Sequence, residues 1–467
     1  MEKLKNIKNI HMIGIGGISM SAIALMLKED GYNITGSDNA RGAMVIKLEE
    51  AGIPIHIGSD ASVVEKADLV VYTAAIKQYD PEYVKAKELK IPMYERAEFL
   101  GILMEKYNKN ICVAGTHGKT TTTSMLATCF LDDHKNPTIQ VGAQLNKLNN
   151  LNYHIGSNEY FILEACEYVD SFLNFPHETA VVLNIDADHL DYFSSIADIR
   201  ASFKKFIMML PQKGNLIINL DDKNCQIVLK ELDKELKEKE INIYTFSLEN
   251  KDATMYTKNI TLNSDGSYSY TAINNLNNTT LDIKLGALGT HNVYNSLAAL
   301  ICCHIHGVNL EVAKHSLEEF TGANRRFDYK KTIKENVKIY DDYAHHPTEI
   351  KATLEAAKNK VHGTGKVIAI FQPHTYSRTR ELLNEFATCF FNADKVIITD
   401  IYAARETDDG TISSVMLVKK IQENGQDAQY ISNFEDIAKY VTEISEPGDI
   451  ILTIGAGTIT NLTEYFK

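Results

Sequence analysis

The chain has 467 residues, which predicts about three domains, because one hydrophobic core rarely serves more than about 200 residues. Lysine and arginine number 48 against 61 aspartates and glutamates, and the resulting formal charge of -13 disfavours nucleic acid or an anionic membrane as the main partner. No apolar run is long enough for membrane insertion, no signal-peptide cleavage pattern follows the N-terminus, and seven scattered cysteines predict reduced thiols. We therefore expect a cytoplasmic protein.

The first hundred residues alternate strand-like and helix-like segments. The stretches "NIHMIGI", "YNITGSD" and "ADLVVYTAAI" are typical of buried strands, and helical segments are predicted at 19–29, before residue 50 and at 81–90. This alternation predicts a parallel, doubly wound sheet. The polar stretch "EKYNKN" resembles a linker, so we place the first domain at 1–107.

A glycine-rich turn, "GIGGISMSAIA", follows the first strand. In such a turn, backbone N–H groups at a helix start can approach a diphosphate. The G-x-G-x-x-G pattern fails at its last position, which is Ser19, whereas Asp38 lies about twenty residues further on, where an acid would bind a ribose hydroxyl. Taken alone, the turn is compatible with NAD or NADP, with another nucleotide diphosphate, or with a purely structural role.

A second glycine-rich turn, "VAGTHGKTTTT", begins at residue 113 and nearly matches a phosphate-binding P-loop, with Val113 where the usual spacing has glycine. Lys119 can meet the β- and γ-phosphates of a nucleotide, and Thr120 or Thr121 can hold Mg²⁺. The backbone of 115–119 would form an anion-binding nest at a helix start. Two such turns predict two different phosphorylated ligands, and a dehydrogenase has no use for the second.

The middle of the chain, which we place at 108–321, carries the metal candidates. Two buried-strand runs, "EYFILEA" and "TAVVLNID", end in acidic groups, and carboxylate with imidazole would suit a divalent ion near a nucleotide. Helix capping and a hydrogen-bonded core histidine are the alternative roles for these residues. The candidates are Glu164, Glu167, Asp186, Asp188, His189 and Asp191.

Residues 322–467 contain a third set of strands, "VKIYDD", "KVIAIFQP", "DKVIITD" and "DIILTIGAG", which predicts a second doubly wound domain. The stretch "DDYAHHPTEI" places acids and histidines before a helix, and "QPHTYSRTR" supplies Arg378 and Arg380, which could clamp a carboxylate. A zinc site from Asp342, His345 and His374 is conceivable, although the arginines would repel the cation.

Nine stretches together resemble the Mur ligase family. They are "HMIGIGGISMSAIA", "GSD", "AGTHGKTTT", "EACEY", "NIDADHLDYF", "GTHNVYNSLAA", "NRRFD", "DDYAHHPTE" and "QPHTYSRTR". They occur in the family's order over nearly the whole chain, and the family's loop is of the G-x-x-G-K-T type, which accounts for Val113. The resemblance implies an α/β chain with an N-terminal Rossmann-like domain, a central P-loop ATPase domain with a mixed sheet, and a C-terminal Rossmann-like domain.

The resemblance also implies the positions of the ligands. UDP-sugar is expected at Gly14, Gly16, Gly17, Ser37, Asp38 and Thr73. ATP is expected at Gly115, Thr116, His117, Gly118, Lys119, Thr120, Thr121, His291, Asn292, Asn295, Arg325 and Asp342. A metal ion, Mg²⁺ or Mn²⁺, is expected on Thr120, Glu164 and His189, and the amino acid on Tyr343, His345, His374 and Arg378. Some members of the family carry a carbamylated lysine near the "DH" motif, but we interpret Lys204 and Lys205 as helix-surface lysines.

The activity that the resemblance implies is ATP-dependent addition of L-alanine to the lactyl carboxylate of UDP-N-acetylmuramate, a step of peptidoglycan precursor synthesis. Lys119, Glu164, His189 and His345 are the expected catalytic residues, with His345 the nearest candidate for the base. The alternative within the family joins a recycled tripeptide to the same UDP-sugar. A nicotinamide dehydrogenase accounts only for residues 9–38, and a nucleotide-binding regulator does not account for the third domain. The chain could act as a monomer or a homodimer.

Overall fold

The computed structural model describes residues 4–189, 192–361, 364–404 and 406–467. Its first sheet has five parallel strands in the order β3-β2-β1-β4-β5, which confirms the predicted Rossmann-like start. The strands are β1 Asn9–Ile13, β2 Asn33–Asp38, β3 Ile55–Ile57, β4 Leu69–Tyr72 and β5 Met93–Glu95, and the helices are α1 Ile18–Glu29, α2 Ala43–Glu50, α3 Pro81–Glu88 and α4 Arg96–Met104.

The middle sheet has ten strands in the order β15-β14-β13-β12-β11-β10-β6-β9-β7-β8 and is mixed, as expected. The "NSDG" turn joins the antiparallel pair β13 and β14 into a hairpin. The strands are β6 Lys109–Ala114, β7 Thr138–Leu145, β8 Leu151–His154, β9 Tyr160–Glu164, β10 Thr179–Val182, β11 Asn215–Asn219, β12 Asn242–Ser247, β13 Met255–Leu262, β14 Tyr268–Asn274 and β15 Thr279–Lys284. The helices are α5 Lys119–Asp132, α6 Ile196–Met208, α7 Lys223–Glu231, α8 Asp233–Glu238, α9 Thr290–Ile305 and α10 Leu310–Glu319.

The third sheet has six strands in the order β16-β17-β21-β18-β19-β20, parallel except for β16 at one edge. The strands are β16 Asp328–Ile333, β17 Val337–Asp342, β18 Val367–Phe371, β19 Lys395–Ile398, β20 Ala428–Tyr430 and β21 Ile450–Ile454. The helices are α11 Pro347–Lys360, α12 Tyr376–Glu381, α13 Leu383–Phe386, α14 Ser414–Glu423 and α15 Phe434–Ile444. The three sheets confirm the three-domain α/β fold. The predicted domain ranges 1–107, 108–321 and 322–467 each contain one of these sheets, and their exact limits remain a prediction.

The first two domains share a core. One apolar cluster runs from β1 and α1 through Leu100 of α4 to Phe172 and Phe206 of the middle domain. Gly101 of α4 packs so closely against the carbonyl of Asn174 that an added Cβ would lie 2.0 Å from its oxygen. All seven cysteines are free, as expected. In the described part of the chain, no helix is both long and apolar enough to span a bilayer.

Candidate active site

The phosphate-binding loop connects β6 to α5, as its sequence predicts. Gly115 and Gly118 have φ of 144° and 84°, a region that residues with a Cβ rarely adopt. Gly118 caps α5, and a Cβ there would lie 2.5 Å from the amide oxygen of Asn295. The glycine is therefore needed both for the turn and for the close approach of α9.

The loop opens onto a central cavity of about 490 Å³ between the middle and third domains. His291, Asn292 and Asn295 of α9 line it, as does Asp342 at the end of β17, so four residues expected around ATP meet in one place. Thr120 and Thr121 at the start of α5 also line it. Burial raises the pKa of Asp342 to about 6, although the Arg326 charge opposes this shift. The cavity has the size and mixed lining of a nucleotide site.

Lys119 is held inside the loop by its own neighbours. Its ammonium donates to the carbonyl oxygens of Gly115 and Thr116 at 2.5 and 3.0 Å and lies 3.0 Å from Glu167 Oε2. Although burial opposes it, the Glu167 carboxylate holds the pKa of Lys119 above its usual range. Glu167, one of the sequence-derived metal candidates, is thus the counter-ion of the loop lysine, with only 2% of its side chain exposed.

The predicted metal ligands are only partly brought together. The Thr120 hydroxyl donates to Glu164 Oε1 at 2.9 Å, and the backbone N–H of Gly142 donates to the other oxygen of Glu164 at 2.6 Å. Hydroxyl and carboxylate oxygens are the ligands that Mg²⁺ prefers, so this pair fits the ion. His189 lines a different cavity, described below, and its part in a shared metal set remains a prediction. Asp191 lies outside the described residues.

The structure places Arg326, and not the expected Arg325, at the central cavity. Arg326 Nη2 lies 3.4 Å from the Thr120 hydroxyl. Arg325 points away and donates to Asp341 Oδ2 at 2.9 Å and to the Gly455 carbonyl at 2.5 Å. The assignment of Arg325 to phosphate is therefore wrong for this geometry, because its charge neutralises a fully buried aspartate. Sequence reasoning missed Arg326, although the doublet "NRRFD" contained it.

A second cavity, of about 400 Å³, joins the end of the middle sheet to the third domain and is called here the arginine cavity. Tyr343, His374 and Arg378 line it together with Asp188 and His189, so three of the four expected amino-acid contacts and two of the metal candidates meet there. Arg378 donates from Nε and Nη2 to Asp188 Oδ1 at 3.3 and 3.0 Å. Arg380 pairs instead with Asp409 at 3.1 Å, so the two arginines do not form a fork.

His345 lies behind this cavity. Its ring is 5.4 Å from that of Tyr343 and 5.9 Å from that of His374. Its Nδ1 donates to the Tyr343 carbonyl at 3.0 Å, which leaves Nε2 as the acceptor nitrogen. Burial lowers the pKa of His345 to about 4, so the ring is neutral near pH 7.

The zinc site that the sequence suggested, from Asp342, His345 and His374, is not assembled. Within the described ranges, the ligand-type side chains near enough to share an ion are His117, Asp186 and His346.

The first glycine turn is fastened by Asp38, whose Oδ2 accepts the N–H of Gly16 at 2.9 Å. An added Cβ on Gly14 would lie 2.6 Å from Thr73, so the two residues are in contact as expected for one site. The Ser37 hydroxyl is buried and donates to Glu82 Oε2 at 2.5 Å, and the Ser37 carbonyl accepts the N–H groups of Gly14 and Ile15 at 2.8 and 3.0 Å. Ser37 therefore helps to hold the turn, and its contact with the UDP-sugar remains a prediction.

His117 connects the phosphate-binding loop to the third domain. Its Nδ1 lies 3.3 Å from Glu349 Oε1 on α11, and its Nε2 lies 3.4 Å from Asp186 Oδ2. Burial would lower its pKa, but the two carboxylates raise it to about 9. Nearby, His346 Nε2 donates to the Ala187 carbonyl at 3.0 Å.

The two lysines considered for carbamylation lie on the surface of α6. Lys204 pairs with Glu231 at 2.9 Å and Lys205 is exposed, as expected of helix-surface lysines.

Comparison with known proteins covers the whole architecture. Three family profiles match in order: "Mur ligase family, catalytic domain" at 9–108, "Mur ligase middle domain" at 113–303 and "Mur ligase, glutamate ligase domain" at 325–457. The UDP-N-acetylmuramate–L-alanine ligase of Acetivibrio thermocellus is 46% identical over 459 residues, which cover 98% of this chain and 95% of that protein.

Two solved structures have the same arrangement of domains. The UDP-N-acetylmuramate–alanine ligase of Thermotoga maritima superposes with a TM-score of 0.81 at 28% identity, covering 99% of this chain and 98% of the other. A murein peptide ligase of Psychrobacter arcticus gives a TM-score of 0.71 at 25% identity, with 98% of each chain covered. With three family profiles in sequence and relatives matched over nearly their full length, this chain belongs to the Mur ligase family.

Proposed function

We propose that the protein is an ATP-dependent amide ligase that joins L-alanine to the lactyl carboxylate of UDP-N-acetylmuramate. A carboxylate is a poor acyl donor because its charge repels an amine and oxide is a poor leaving group. Transfer of the γ-phosphoryl group of ATP gives an acyl phosphate with a good leaving group, and attack by the amine then releases phosphate. The observation that carries the proposal is the Thr120–Glu164 hydrogen bond, because Thr120 lines the central cavity and Glu164 faces the first domain.

ATP is proposed to occupy the central cavity. Its phosphates would meet the loop 115–119, where Lys119 would exchange its loop carbonyls for phosphoryl oxygens and Arg326 would face the same charge from the third domain. Asn292 and Asn295 of α9 would lie toward the adenine, and Asp342 toward the ribose. The lining of the cavity and the usual role of such a loop support these positions.

Thr120 and Glu164 would hold Mg²⁺ or Mn²⁺, and the family resemblance adds His189 to them. The bound ion would neutralise charge on the phosphoryl group. The UDP part of the substrate would lie at the first glycine turn, where the lack of side chains at Gly14, Gly16 and Gly17 would let the diphosphate approach the N-terminus of α1. Asp38 would then act mainly by fixing the turn, since it already accepts from Gly16.

L-Alanine is proposed to bind in the arginine cavity, with its carboxylate on Arg378. The nitrogen attacks as the free amine and gives up a further proton as the new C–N bond forms, and the neutral His345 offers Nε2 as an acceptor for that proton. A pKa near 4 makes His345 a weak base, so its contribution would be to accept the proton only as the new bond forms. The third domain closes over the middle domain through His117, His346 and Arg378, which would keep water from the acyl phosphate.

The test is phosphate release from ATP in the presence of UDP-N-acetylmuramate and a panel of amines. Free L-alanine should give the highest kcat/KM, glycine and L-serine lower values, and no turnover should occur without an amine or without the UDP-sugar. Glycine lacks a methyl contact worth about 1–3 kcal/mol, and serine would bury an unpaired hydroxyl. A higher kcat/KM for L-alanyl-γ-D-glutamyl-diaminopimelate than for L-alanine would assign the chain to tripeptide recycling instead.

A further inference from the structure

A third cavity, of about 260 Å³, lies at the junction of the first and middle domains and is called here the seam cavity. Ser19 of α1 and Arg96 of α4 line it from the first domain, and Gly142, Glu164 and Cys166 line it from the middle domain. Apolar side chains complete its walls. The cavity therefore lies between the first glycine turn and the metal candidate Glu164.

Arg96 is the cationic side chain of this cavity, and its guanidinium has only weak partners among the described residues. Nη1 lies 3.4 Å from the Ser19 hydroxyl, and Nε lies 3.8 Å from Glu95 Oε1. The other oxygen of Glu95 accepts the N–H of Ala97 at 2.6 Å and caps α4. The Arg96 side chain is only 24% exposed, so a charged group with fork geometry is held in a confined space, and no carboxylate of the described residues lies within hydrogen-bond distance of it.

Ser19 is the residue at which the dinucleotide fingerprint fails, and the structure gives that residue a use. Its hydroxyl accepts from Gln140 Nε2 of β7 at 2.7 Å and faces Arg96 at 3.4 Å. Gln140 also lies 3.3 Å from the Ser19 carbonyl. Where a dinucleotide-binding turn would have a third glycine, this chain has a side chain that joins the two domains and orients Arg96.

The opposite wall of the cavity carries negative charge. Glu164 accepts from Thr120, which lines the central cavity, so the seam cavity and the phosphate-binding loop are one hydrogen bond apart. A substrate carboxylate that enters the seam cavity would come near the Glu164 carboxylate, and two such charges repel each other strongly in a partly desolvated site. A metal ion on Glu164 would offset part of this repulsion. A second cation on the first-domain side is needed to hold the substrate carboxylate, and Arg96 lies there.

We propose that Arg96 binds the lactyl carboxylate of the UDP-sugar and positions it for the phosphoryl group. The guanidinium fork would hold one face of the carboxylate while an oxygen of the same group points toward Thr120 and the end of ATP. Arg96 would thereby distinguish a UDP-sugar that carries this carboxylate from one that lacks it. The inference rests on the proposed function and adds a residue that selects the acyl substrate.

The test compares two ligands that differ in the lactyl group. Binding of UDP-N-acetylmuramate and of UDP-N-acetylglucosamine is measured by calorimetry for the wild type, Arg96→Ala, Arg96→Lys and the control Arg41→Ala, which changes an arginine of the same domain with a 65% exposed side chain. Arg96→Ala should weaken UDP-N-acetylmuramate about 10- to 100-fold and leave UDP-N-acetylglucosamine within about twofold, because only charge-assisted bonds to the carboxylate are lost. Arg96→Lys should fall between, since lysine keeps the charge but not the fork.

Equal weakening of both ligands would place Arg96 on the diphosphate and overturn the proposal, as would unchanged binding of both. ATP affinity measured on each variant separates a local effect from loss of the fold, and Arg96→Lys supplies the comparison if Arg96→Ala does not fold. A wild type that binds neither UDP-sugar would contradict the proposed function itself. A wild type and an Arg96→Ala variant that bind UDP-N-acetylmuramate equally well would contradict only the role of Arg96.

Discussion

The guanidinium of Arg378 donates two hydrogen bonds to one carboxylate oxygen of Asp188, a residue 190 positions earlier in the chain. Both side chains are largely buried, and both line the arginine cavity. Although burial opposes it, His189 and Arg378 hold the pKa of Asp188 well below its usual range. The residue proposed to hold the substrate carboxylate is therefore already bonded to a carboxylate of the middle domain, which links closure of the third domain to the amino-acid site.

Substitution of Arg378 by alanine should raise KM for L-alanine by about 10- to 100-fold and leave the affinities for ATP and UDP-sugar nearly unchanged, because a carboxylate clamp contributes mainly to its own ligand. Steady-state kinetics with each substrate varied in turn measures this. Arg380→Ala is the matched control, since Arg380 pairs with Asp409 at the surface. Equal effects of the two substitutions on alanine KM would contradict the assignment.

Lys119→Ala should reduce kcat by about 10²–10³-fold or more, as is common when one group that stabilises transition-state charge is removed. The fold should persist, although Glu167 loses its counter-ion and the melting temperature is expected to fall. Turnover is measured well below that temperature, with Lys135→Ala, a partly exposed lysine beyond the end of α5, as control. Near-normal turnover in the Lys119 variant would refute the phosphate-loop assignment.

The two adjacent arginines should separate in their effects. Arg326→Ala is expected to weaken ATP binding and slow turnover, because it removes a cation that lines the central cavity beside Thr120. Arg325→Ala should chiefly destabilise the protein, by about 3–5 kcal/mol, because Asp341 would be left buried and unpaired. Thermal melting with ATP titrations of both variants measures the difference. A larger loss of ATP affinity in the Arg325 variant would restore the sequence-based choice.

The His117 contacts predict a pH-dependent stability. The folded pKa of His117 is raised to about 9 from its ordinary 6.5, so its contribution is complete below about pH 6.5 and disappears as pH rises through about 9. At about 1.4 kcal/mol per pKa unit, the full contribution is on the order of 3 kcal/mol. The difference in melting temperature between wild type and His117→Gln should shrink from pH 6.5 to pH 9.5. In a Glu349→Gln background, the decrease in this melting-temperature difference should occur at lower pH, because one of the two carboxylates that raise the pKa of His117 is gone. A melting-temperature difference that stays constant from pH 6.5 to pH 9.5 would show that His117 is not charged.

The first glycine turn should bind a uridine diphosphate and no nicotinamide, because Ser19 replaces the third glycine of the fingerprint and joins the two domains instead. Fluorescence titration with NADH and calorimetry with UDP-N-acetylmuramate measure the two affinities. Micromolar binding of NADH without binding of the UDP-sugar would reverse this prediction.

The sequence by itself determined the elements whose chemistry is local. The strand-turn-helix at Gly14, the short loop ending in Lys119 and the "NSDG" hairpin follow from glycine positions and apolar periodicity, since neighbouring residues alone fix those backbone conformations. The order of family motifs likewise predicted three domains and the residues of α9 that line the central cavity.

Only the tertiary structure decided which side chains face one another across domains. Arg325 and Phe327 have φ of 60° and 51°, so the backbone turns between the two arginines and directs Arg325 to Asp341 and Arg326 to the cavity. Nothing in a doublet of identical residues carries that information. The pairs Arg378–Asp188 and Ser19–Gln140 join residues more than a hundred positions apart, and burial between domains, which no local pattern records, gives these contacts their strength.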